Sequence, residues 1–363
     1  MNWKKHISKG RLIDFPALQM LITSIKNNVG HLIVKSKPED GGEGPVDKLI
    51  SIGGTPSNYD INIIADKNDI LNNLTAAMCR SGLLRPYNID GVSKKLMDTE
   101  DLILGLDTNM LYNCVISEHL LNSLERMNPY SYSSMPKWLL LAVPGVVMKE
   151  IENAANHKKK GRLTHIGRLG FRALQEMMVL QENKGNTGHT VLVIGTTNPQ
   201  QLRYADDDSS RLENADSLIR DQFRNFIKEM DIRKGTYFLT MDKTNASLGR
   251  AEGLNAIRVQ HPKMLKSGYD LYQLKGDTIL LARILYEIAV EFGIIEISWK
   301  EHGRLHYLEL DSGWQWKNME HWENWQVLCS NYDNQFFQKI NNYENLPINR
   351  ITKSWEETRD SMI

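Results

Sequence analysis

Four acidic residues of this 363-residue chain stand where a cluster of carboxylates is easily built. Each of them ends an apolar run or begins an apolar-periodic one: Asp107, Glu150, Asp216 and Asp242. Carboxylates at such positions can converge at one edge of a sheet, where they repel one another. A hard divalent cation relieves this repulsion and prefers oxygen ligands. The four residues therefore predict a Mg²⁺ or Mn²⁺ site suited to phosphodiester chemistry.

Two polar residues next to these acids can support them. Asn109 and Thr240 lie within two positions of Asp107 and Asp242, so each can hydrogen-bond a carboxylate and hold its orientation. Asp221 is a weaker candidate ligand, because it lies five residues beyond Asp216 and thus about 140° around a helix. The alternative interpretation, that each acid is only a helix cap or a turn residue, applies better to a lone acid than to four in this order.

The elements that must position the acids alternate between strands and helices over residues 101–262. The pattern predicts strands at 102–106, 190–195, 237–240 and 256–259, and helices at 109–122, 146–155, 170–181 and 210–230. Such alternation predicts an α/β domain with a parallel sheet covered on both faces. Sites in these folds form at the carboxyl ends of the strands, where Asp107 and Asp242 fall.

The two flanking segments are predicted to be α+β extensions. Residues 1–100 form a module of unknown role, with helices at 17–25 and 69–81, strands at 30–36 and 60–65, and a linker at 86–95. Residues 263–363 contain a helix at 278–292, a hairpin at 294–300 and 304–310, and most of the tryptophans. Those tryptophans favour a core or a subunit interface over the stacking of unpaired bases: Trp299, Trp314, Trp316, Trp322 and Trp325.

One basic cluster follows Glu150 closely. It consists of Lys158, Lys159, Lys160, Arg162 and Arg168. These side chains could guide a phosphate backbone toward a metal site, and they could equally form a solvated loop. Because Lys+Arg and Asp+Glu are each 44, the formal net charge is zero, and any basic surface must be local.

The cysteines and the hydropathy indicate a cytoplasmic protein without a membrane partner. The three cysteines are far apart and fit a reducing compartment. The most apolar run, residues 138–148, is interrupted by Pro144 and too short to cross a bilayer. Whether the chain forms a homo-oligomer is left open.

The order and flanks of the four acids resemble those of the PIN-domain nuclease family. Asp107-Thr108-Asn109, which follows a strand, is similar to the opening motif of that family. Glu150, which follows an apolar run, is similar to the family's second acid. Asp216 at a helix start and Thr240-Met241-Asp242 after a strand resemble the third and fourth. The segments 150–154, 167–170 and 242–248 most resemble the branch in which a PIN domain is joined to a TRAM-like barrel.

This resemblance implies a FEN-like, three-layer α/β/α fold with a mostly parallel central sheet over residues 101–262. It also implies a metal-dependent endoribonuclease whose Mg²⁺ or Mn²⁺ is held by the four acids, with RNA as the partner. Two alternatives remain open: a PIN-like RNA-binding or scaffold protein without turnover, and a structure-specific DNA nuclease. RNA and DNA cannot be told apart from these motifs, because recognition of the 2′-hydroxyl leaves no mark in them.

Overall fold

The computed structural model describes residues 11–28, 31–38, 46–55, 58–97, 99, 101–127, 138–182, 190–196, 215–229, 235–268, 271–274, 278–301, 303–313 and 326–330. The chain forms two compact units, one of Met1–Leu71 with Leu265–Ile363 and one of Asn72–Met264. Among the described residues, none of the helices is both long and apolar enough to cross a lipid bilayer.

The helices, in chain order, are α1 (Phe15–Asn28), α2 (Asn68–Arg80), α3 (Ile89–Met97), α4 (Thr108–Tyr112), α5 (Asn122–Met127), α6 (Gly145–Ala155), α7 (His165–Glu182), α8 (Ala215–Glu229), α9 (Lys243–Ala251) and α10 (Thr278–Phe292). A π-helical segment, Ile116–Leu121, precedes α5. The strands are β1 (Arg11–Asp14), β2 (Leu32–Lys37), β3 (Lys48–Thr55), β4 (Asn58–Ile63), β5 (Asp101–Leu106), β6 (Trp138–Pro144), β7 (Lys158–Lys159), β8 (Arg162–Leu163), β9 (Thr190–Thr196), β10 (Thr236–Thr240), β11 (Ala256–Arg258), β12 (Leu271–Leu274), β13 (Ile294–Glu301), β14 (Arg304–Asp311) and β15 (Gln326–Ser330).

The unit of residues 72–264 is built on a five-stranded sheet in the order β11-β10-β5-β6-β9. Every pairing in it is parallel, and β5 lies at the centre with all its residues after Asp101 buried. Helices α6 to α9 pack against these strands. The predicted three-layer α/β/α fold with a parallel central sheet is therefore confirmed.

Two glycines allow the helices around the site to pack closely. A Cβ on Gly105 of β5 would lie 2.5 Å from the ring of Phe223, so α8 rests directly on the central strand. A Cβ on Gly170 of α7 would lie 2.3 Å from the backbone nitrogen of Ala155, so α6 and α7 touch backbone to backbone. Larger residues at either position would push away a helix that carries a predicted acid.

The other unit contains an eight-stranded antiparallel sheet in the order β1-β15-β14-β13-β2-β3-β4-β12. Strands from the two ends of the chain pair within it: β2 with β13, and β4 with β12. Helices α1 and α10 pack together and bury apolar side chains such as Ile22 and Leu285. The sequence analysis predicts that residues 1–100 and 263–363 are separate extensions. In the structure the two share one sheet, because each supplies hydrogen-bonding partners for the other's strands.

The structure differs from the sequence prediction at several elements. The segment predicted as a linker, 86–95, contains α3, whose buried Ile89, Val92 and Leu96 form one apolar stripe. The helix predicted at 109–122 is interrupted near Cys114, which has a φ of 50°, and continues as the π-helical segment and α5. Of the helix predicted at 210–230, residues 210–214 and 230 lie outside the described residues.

Candidate active site

Asp107 follows β5 and is the most enclosed of the four predicted acids, with 3% of its surface exposed. Its Oδ1 accepts the backbone N–H of Thr108 at 2.7 Å. Its Oδ2 accepts the side-chain amides of Asn109 and Asn245, both at 3.0 Å, and the hydroxyl of Thr240. Three of these four donors crowd Oδ2, so Oδ1 keeps more acceptor capacity for a cation.

Asn109 and Thr240 join the ends of the two neighbouring strands β5 and β10. The Oδ1 of Asn109 accepts the backbone N–H of Met241 at 2.9 Å. The Thr240 hydroxyl, which donates to Asp107, also accepts the backbone N–H of Asp242 at 3.0 Å. Both side chains thus lie where the sequence analysis expects them, bonded to the carboxylate of Asp107 and to the segment that carries Asp242.

Glu150 reaches the same place from α6. Its Oε2 accepts the hydroxyl of Thr108, the residue that also donates its N–H to Asp107. Burial raises the pKa of Glu150; the Thr108 hydrogen bond opposes this shift, and the charges of Asp107 and Asp216 add to it. The repulsion shows that these three carboxylates lie near one another.

Asp216 and Asp242 complete the set on its more exposed side. Partial burial and then the charges of Asp107 and Asp242 raise the pKa of Asp216, while the charge of Arg220 lowers it. Asp242 caps helix α9, because its Oδ1 accepts the backbone N–H of Asn245 at 2.6 Å. The four predicted acids thus lie within electrostatic reach of one another, at the end of β5, on α6, on α8 and at the β10–α9 junction.

These acids have the donor chemistry that Mg²⁺ and Mn²⁺ prefer. All four offer carboxylate oxygen, and their mutual repulsion is what a divalent cation would relieve. In the part of the chain that the structure describes, no three His, Cys, Asp or Glu side chains lie close enough to surround a metal ion. The residues fit a hard cation by type and charge, and the structure gives no coordination geometry for it.

A row of hydrogen bonds behind Asp107 was not predicted. Arg220, which is 3% exposed, donates from Nη1 to the Oδ1 of Asn245 at 2.6 Å. Its Nε and Nη2 each donate to the carboxylate of Glu252 at 2.9 Å. Because Arg220 occupies the amide oxygen of Asn245, the amide NH₂ must face Asp107. The α9 cap could have indicated Asn245, but nothing in the sequence links Arg220 to Asn245 and Glu252.

Tyr112 is a second residue that the sequence analysis missed. It ends α4, and burial together with the charge of Glu150 raises its pKa to about 12. Its phenol therefore stays protonated at neutral pH and can donate a hydrogen bond close to the acids. The sequence offers no signal for it, because its closeness to Glu150 depends on how α4 and α6 pack.

The basic cluster lies on a short hairpin formed by β7 and β8, here called the basic hairpin (residues 158–163). Lys160 and Gly161 have φ angles of 53° and 78°, as a two-residue type I′ turn requires. Lys158, Lys159 and Lys160 are exposed, and Arg162 is half-buried. Arg168 is different: it is 3% exposed and donates to the carbonyl of Leu163 at 3.2 Å. Its prediction as a surface phosphate contact is corrected, since it supports the hairpin from within.

Two other sequence hypotheses can be assessed. Asp221 accepts a hydrogen bond from Arg224 at 2.8 Å, so it is engaged in an ion pair within its own helix. Trp299 is 5% exposed, as a core tryptophan should be. Trp314, Trp316, Trp322 and Trp325 lie outside the described residues.

Comparison with known proteins gives a family for this unit. Residues 106–260 match the model of the PIN domain. A domain of a functionally unknown protein from Methanocaldococcus jannaschii DSM 2661 is similar in structure, with 18% identity and a TM-score of 0.30, over 47% of this chain and 99% of that one. No protein of curated function matches the sequence.

The matched segment lies within the residues 101–262 that carry the sequence resemblance, and it contains all four acids. The closer likeness to the TRAM-like branch stays a prediction. PIN domains are usually nucleases. Residues 106–260 therefore carry a PIN domain, the domain that the order and flanks of the four acids resemble.

Proposed function

We propose that the chain is a metal-dependent endoribonuclease that hydrolyses phosphodiester bonds of RNA. One observation carries the proposal: four carboxylates from four separate elements lie within electrostatic reach of one another near the carboxyl edge of the parallel sheet, and the charges of neighbouring acids help to raise the pKa of Glu150 and of Asp216. An arrangement that is unfavourable for the isolated fold is expected at a functional site. Asp107, Glu150, Asp216 and Asp242 would hold Mg²⁺ or Mn²⁺.

The side chains around Asp107 prepare it for this role. Four donors fix its carboxylate in one orientation, so binding a cation requires little rearrangement of the protein. A bound Mg²⁺ or Mn²⁺ would activate a water molecule and stabilise negative charge on the leaving oxygen. The protonated phenol of Tyr112 supplies a neutral donor beside the acids, where another carboxylate would add repulsion.

The basic hairpin supports a nucleic-acid substrate. Its three lysines are exposed, and only two residues separate them from α6, the helix of Glu150. Replacing Lys158, Lys159 and Lys160 by Ala is expected to weaken RNA binding and to lower the log–log salt slope by about one unit for each lost phosphate contact. Filter binding at several salt concentrations measures this slope, and an unchanged slope would identify the hairpin as a solvated turn.

The direct test is cleavage by the purified full-length protein. Labelled single-stranded RNA, structured RNA and DNA are incubated with Mn²⁺, with Mg²⁺ or with EDTA, beside Asp107→Asn as the matched control. Cleavage of RNA that needs metal and Asp107 supports the proposal. Metal-dependent cleavage of DNA alone would make the chain a DNA nuclease, and RNA binding without cleavage under any metal would make it a binding or scaffold protein.

A further inference from the structure

An exposed aromatic and two cations lie on the β11 side of the acidic edge. We call this the Tyr87 surface, formed by Tyr87, Arg258 and Lys263. Tyr87 is 64% exposed, and the Lys263 ammonium lies 5.3 Å from the centre of its ring. Arg258 ends β11 and is half-buried. None of the three was singled out from the sequence, which suggests only a linker around Tyr87.

The backbone holds Tyr87 in place against the end of β11. Its N–H donates to the carbonyl of Gln260 at 3.1 Å. The next residue, Asn88, donates its amide to the carbonyl of Arg258 and accepts the N–H of Gln260, both at 2.8 Å. Three hydrogen bonds thus tie residues 87 and 88 to the end of β11 and hold the backbone that carries the ring.

The same hydrogen bonds place the Tyr87 surface beside the acids. Arg258 pairs with Thr240 in the sheet, and its Nε donates to the carbonyl of Met241, the residue before Asp242. Neighbouring strands are about 4.8 Å apart, so Arg258 lies one strand spacing from the end of β10, where Asp242 follows. This is close enough for one strand of nucleic acid to touch both.

We propose that the Tyr87 surface binds an unpaired base and the adjoining phosphate of the substrate strand, next to the phosphate that is cleaved. An exposed ring offers a stacking face to any base, and nearby cations match the phosphate charge. A base held in a duplex cannot stack on the ring, so the substrate is single-stranded at this point. The inference rests on the proposed function and adds the strand state of the substrate and one flank of its path.

The test pairs a change in the protein with a change in the RNA. Binding of labelled single-stranded RNA to the full chain is measured in the Glu150→Gln background, where cleavage is blocked. A set of RNAs carries one abasic nucleotide at each position in turn. Tyr87→Ala is expected to weaken binding of intact RNA by roughly 5- to 100-fold, the range of one lost base stack. One abasic position should weaken binding equally, and it should have no further effect on Tyr87→Ala.

Matched variants separate stacking from a general disturbance. Tyr87→Phe keeps the ring and should bind as the parent does, and Tyr307→Ala, which removes an exposed tyrosine of the other unit, should have no effect. Lys263→Ala should lower the log–log salt slope by about one unit. Equal binding by Tyr87→Ala and its parent, or independent effects of Tyr87→Ala and every abasic position, would overturn the inference. Because binding needs no turnover, a wild type that binds through Tyr87 but never cleaves would refute the proposed endoribonuclease and still support the surface.

Discussion

Two clusters of charged side chains in this protein are arranged on opposite principles. On the eight-stranded antiparallel sheet, Lys35 and Lys37 of β2 face Glu296 of β13 at 3.2 and 3.6 Å, and Lys37 also bonds Glu309 of β14. Burial acts to lower the pKa of Lys37, but the contacts with Glu309 and Glu296 together raise it by more, so the net shift of this pKa is upward. At the edge of the parallel sheet, burial and then the charges of neighbouring acids raise the pKa of Glu150 and of Asp216.

The difference shows which cluster has its charges balanced within the protein. The lysines and glutamates of the antiparallel sheet neutralise one another, so this surface needs no ligand. The carboxylates of the parallel sheet are supported by neutral donors on one side, and the pKa of Asp216 is raised even though the charge of Arg220 lowers it. A divalent cation supplied from solution would make their arrangement favourable.

The largest effect is expected for Asp107→Asn. Cleavage should fall by more than about 100-fold, since even residues that only support a metal ligand can contribute that much. Repulsion alone would make the neutral variant more stable. However, the NH₂ group of an Asn would replace one carboxylate oxygen and face the donors that Asp107 accepts there, so unfolding should become easier by about 1–3 kcal/mol. Cleavage assays with Mn²⁺ and urea unfolding measure the two effects.

The control for this variant is Asp221→Asn, which removes the same charge from an ion pair on α8. It should cleave as the wild type does and change stability by less than about 0.5 kcal/mol. A more stable Asp107→Asn protein would mean that repulsion outweighs hydrogen bonding at the acidic edge.

The next largest effect is expected for Arg220→Met. This change leaves the Asn245 amide free to turn away from Asp107, so Mn²⁺ affinity should fall about 10- to 100-fold. The matched control is Arg224→Met, because Arg224 bonds the same Glu252 from the same helix without contacting Asn245 in any hydrogen bond that the structure gives. Calorimetric titration with Mn²⁺ decides between them, and equal losses in both variants would show that Glu252, not Asn245, transmits the effect.

Much of this site could be predicted because its residues mark the ends of elements. Asp107 and Asp242 follow buried strands, and parallel strands bring their carboxyl ends to one edge whatever the details of packing. The fold class follows from the same alternation. Asn109 could be predicted for a similar reason, since it lies two residues from the carboxylate that it bonds. Thr240 was predicted from its place beside Asp242, but its hydroxyl donates to Asp107 across the sheet.

What escaped prediction depends on contacts between segments distant in the chain. Arg220 meets Asn245 and Glu252 only when α8 packs across α9, and Arg168 reads as surface charge until its burial is known. The shared eight-stranded sheet also escaped, because β2 and β13 are more than 250 residues apart and nothing local specifies their register. Residues 86–95 were wrongly predicted as a linker, because Pro86 indicated a loop and the apolar stripe that follows it is short.

A smaller effect is expected from pH on the metal-free protein. The pKa of Glu150 is higher in the folded state than the usual value of about 4.3, so folding favours its protonated form. Its contribution to stability is therefore complete below about pH 4 and is lost as the pH rises through the folded-state pKa. Glu150→Gln, in EDTA, should gain stability relative to wild type over that window.

Thermal unfolding of both proteins from pH 4 to 8 gives the difference directly. It should grow with pH and then level off. Added Mn²⁺ should stabilise the wild type increasingly over the same window, because cation and proton compete for the carboxylates. If the stability difference between the two proteins did not change with pH, the pKa of Glu150 would not be raised in the folded state.

The smallest effect is expected for the paired charges of the antiparallel sheet. A double-mutant cycle of Lys37→Met and Glu309→Gln should give a favourable coupling of about 0.2–1 kcal/mol, because the pair is partly exposed. Cleavage should be unchanged.

At about 1 M NaCl, where the screening length is ~3 Å, this coupling should shrink. The same salt should also reduce the part of the Glu150→Gln stability advantage that comes from the charges of Asp107 and Asp216, while the part that comes from burial should remain. Salt would then weaken both the attraction and the repulsion. The loss of attraction would destabilise the antiparallel sheet, and the loss of repulsion would stabilise the acidic edge. If salt destabilised both clusters, the carboxylates at the parallel edge would have to be balanced by positive charge within the protein.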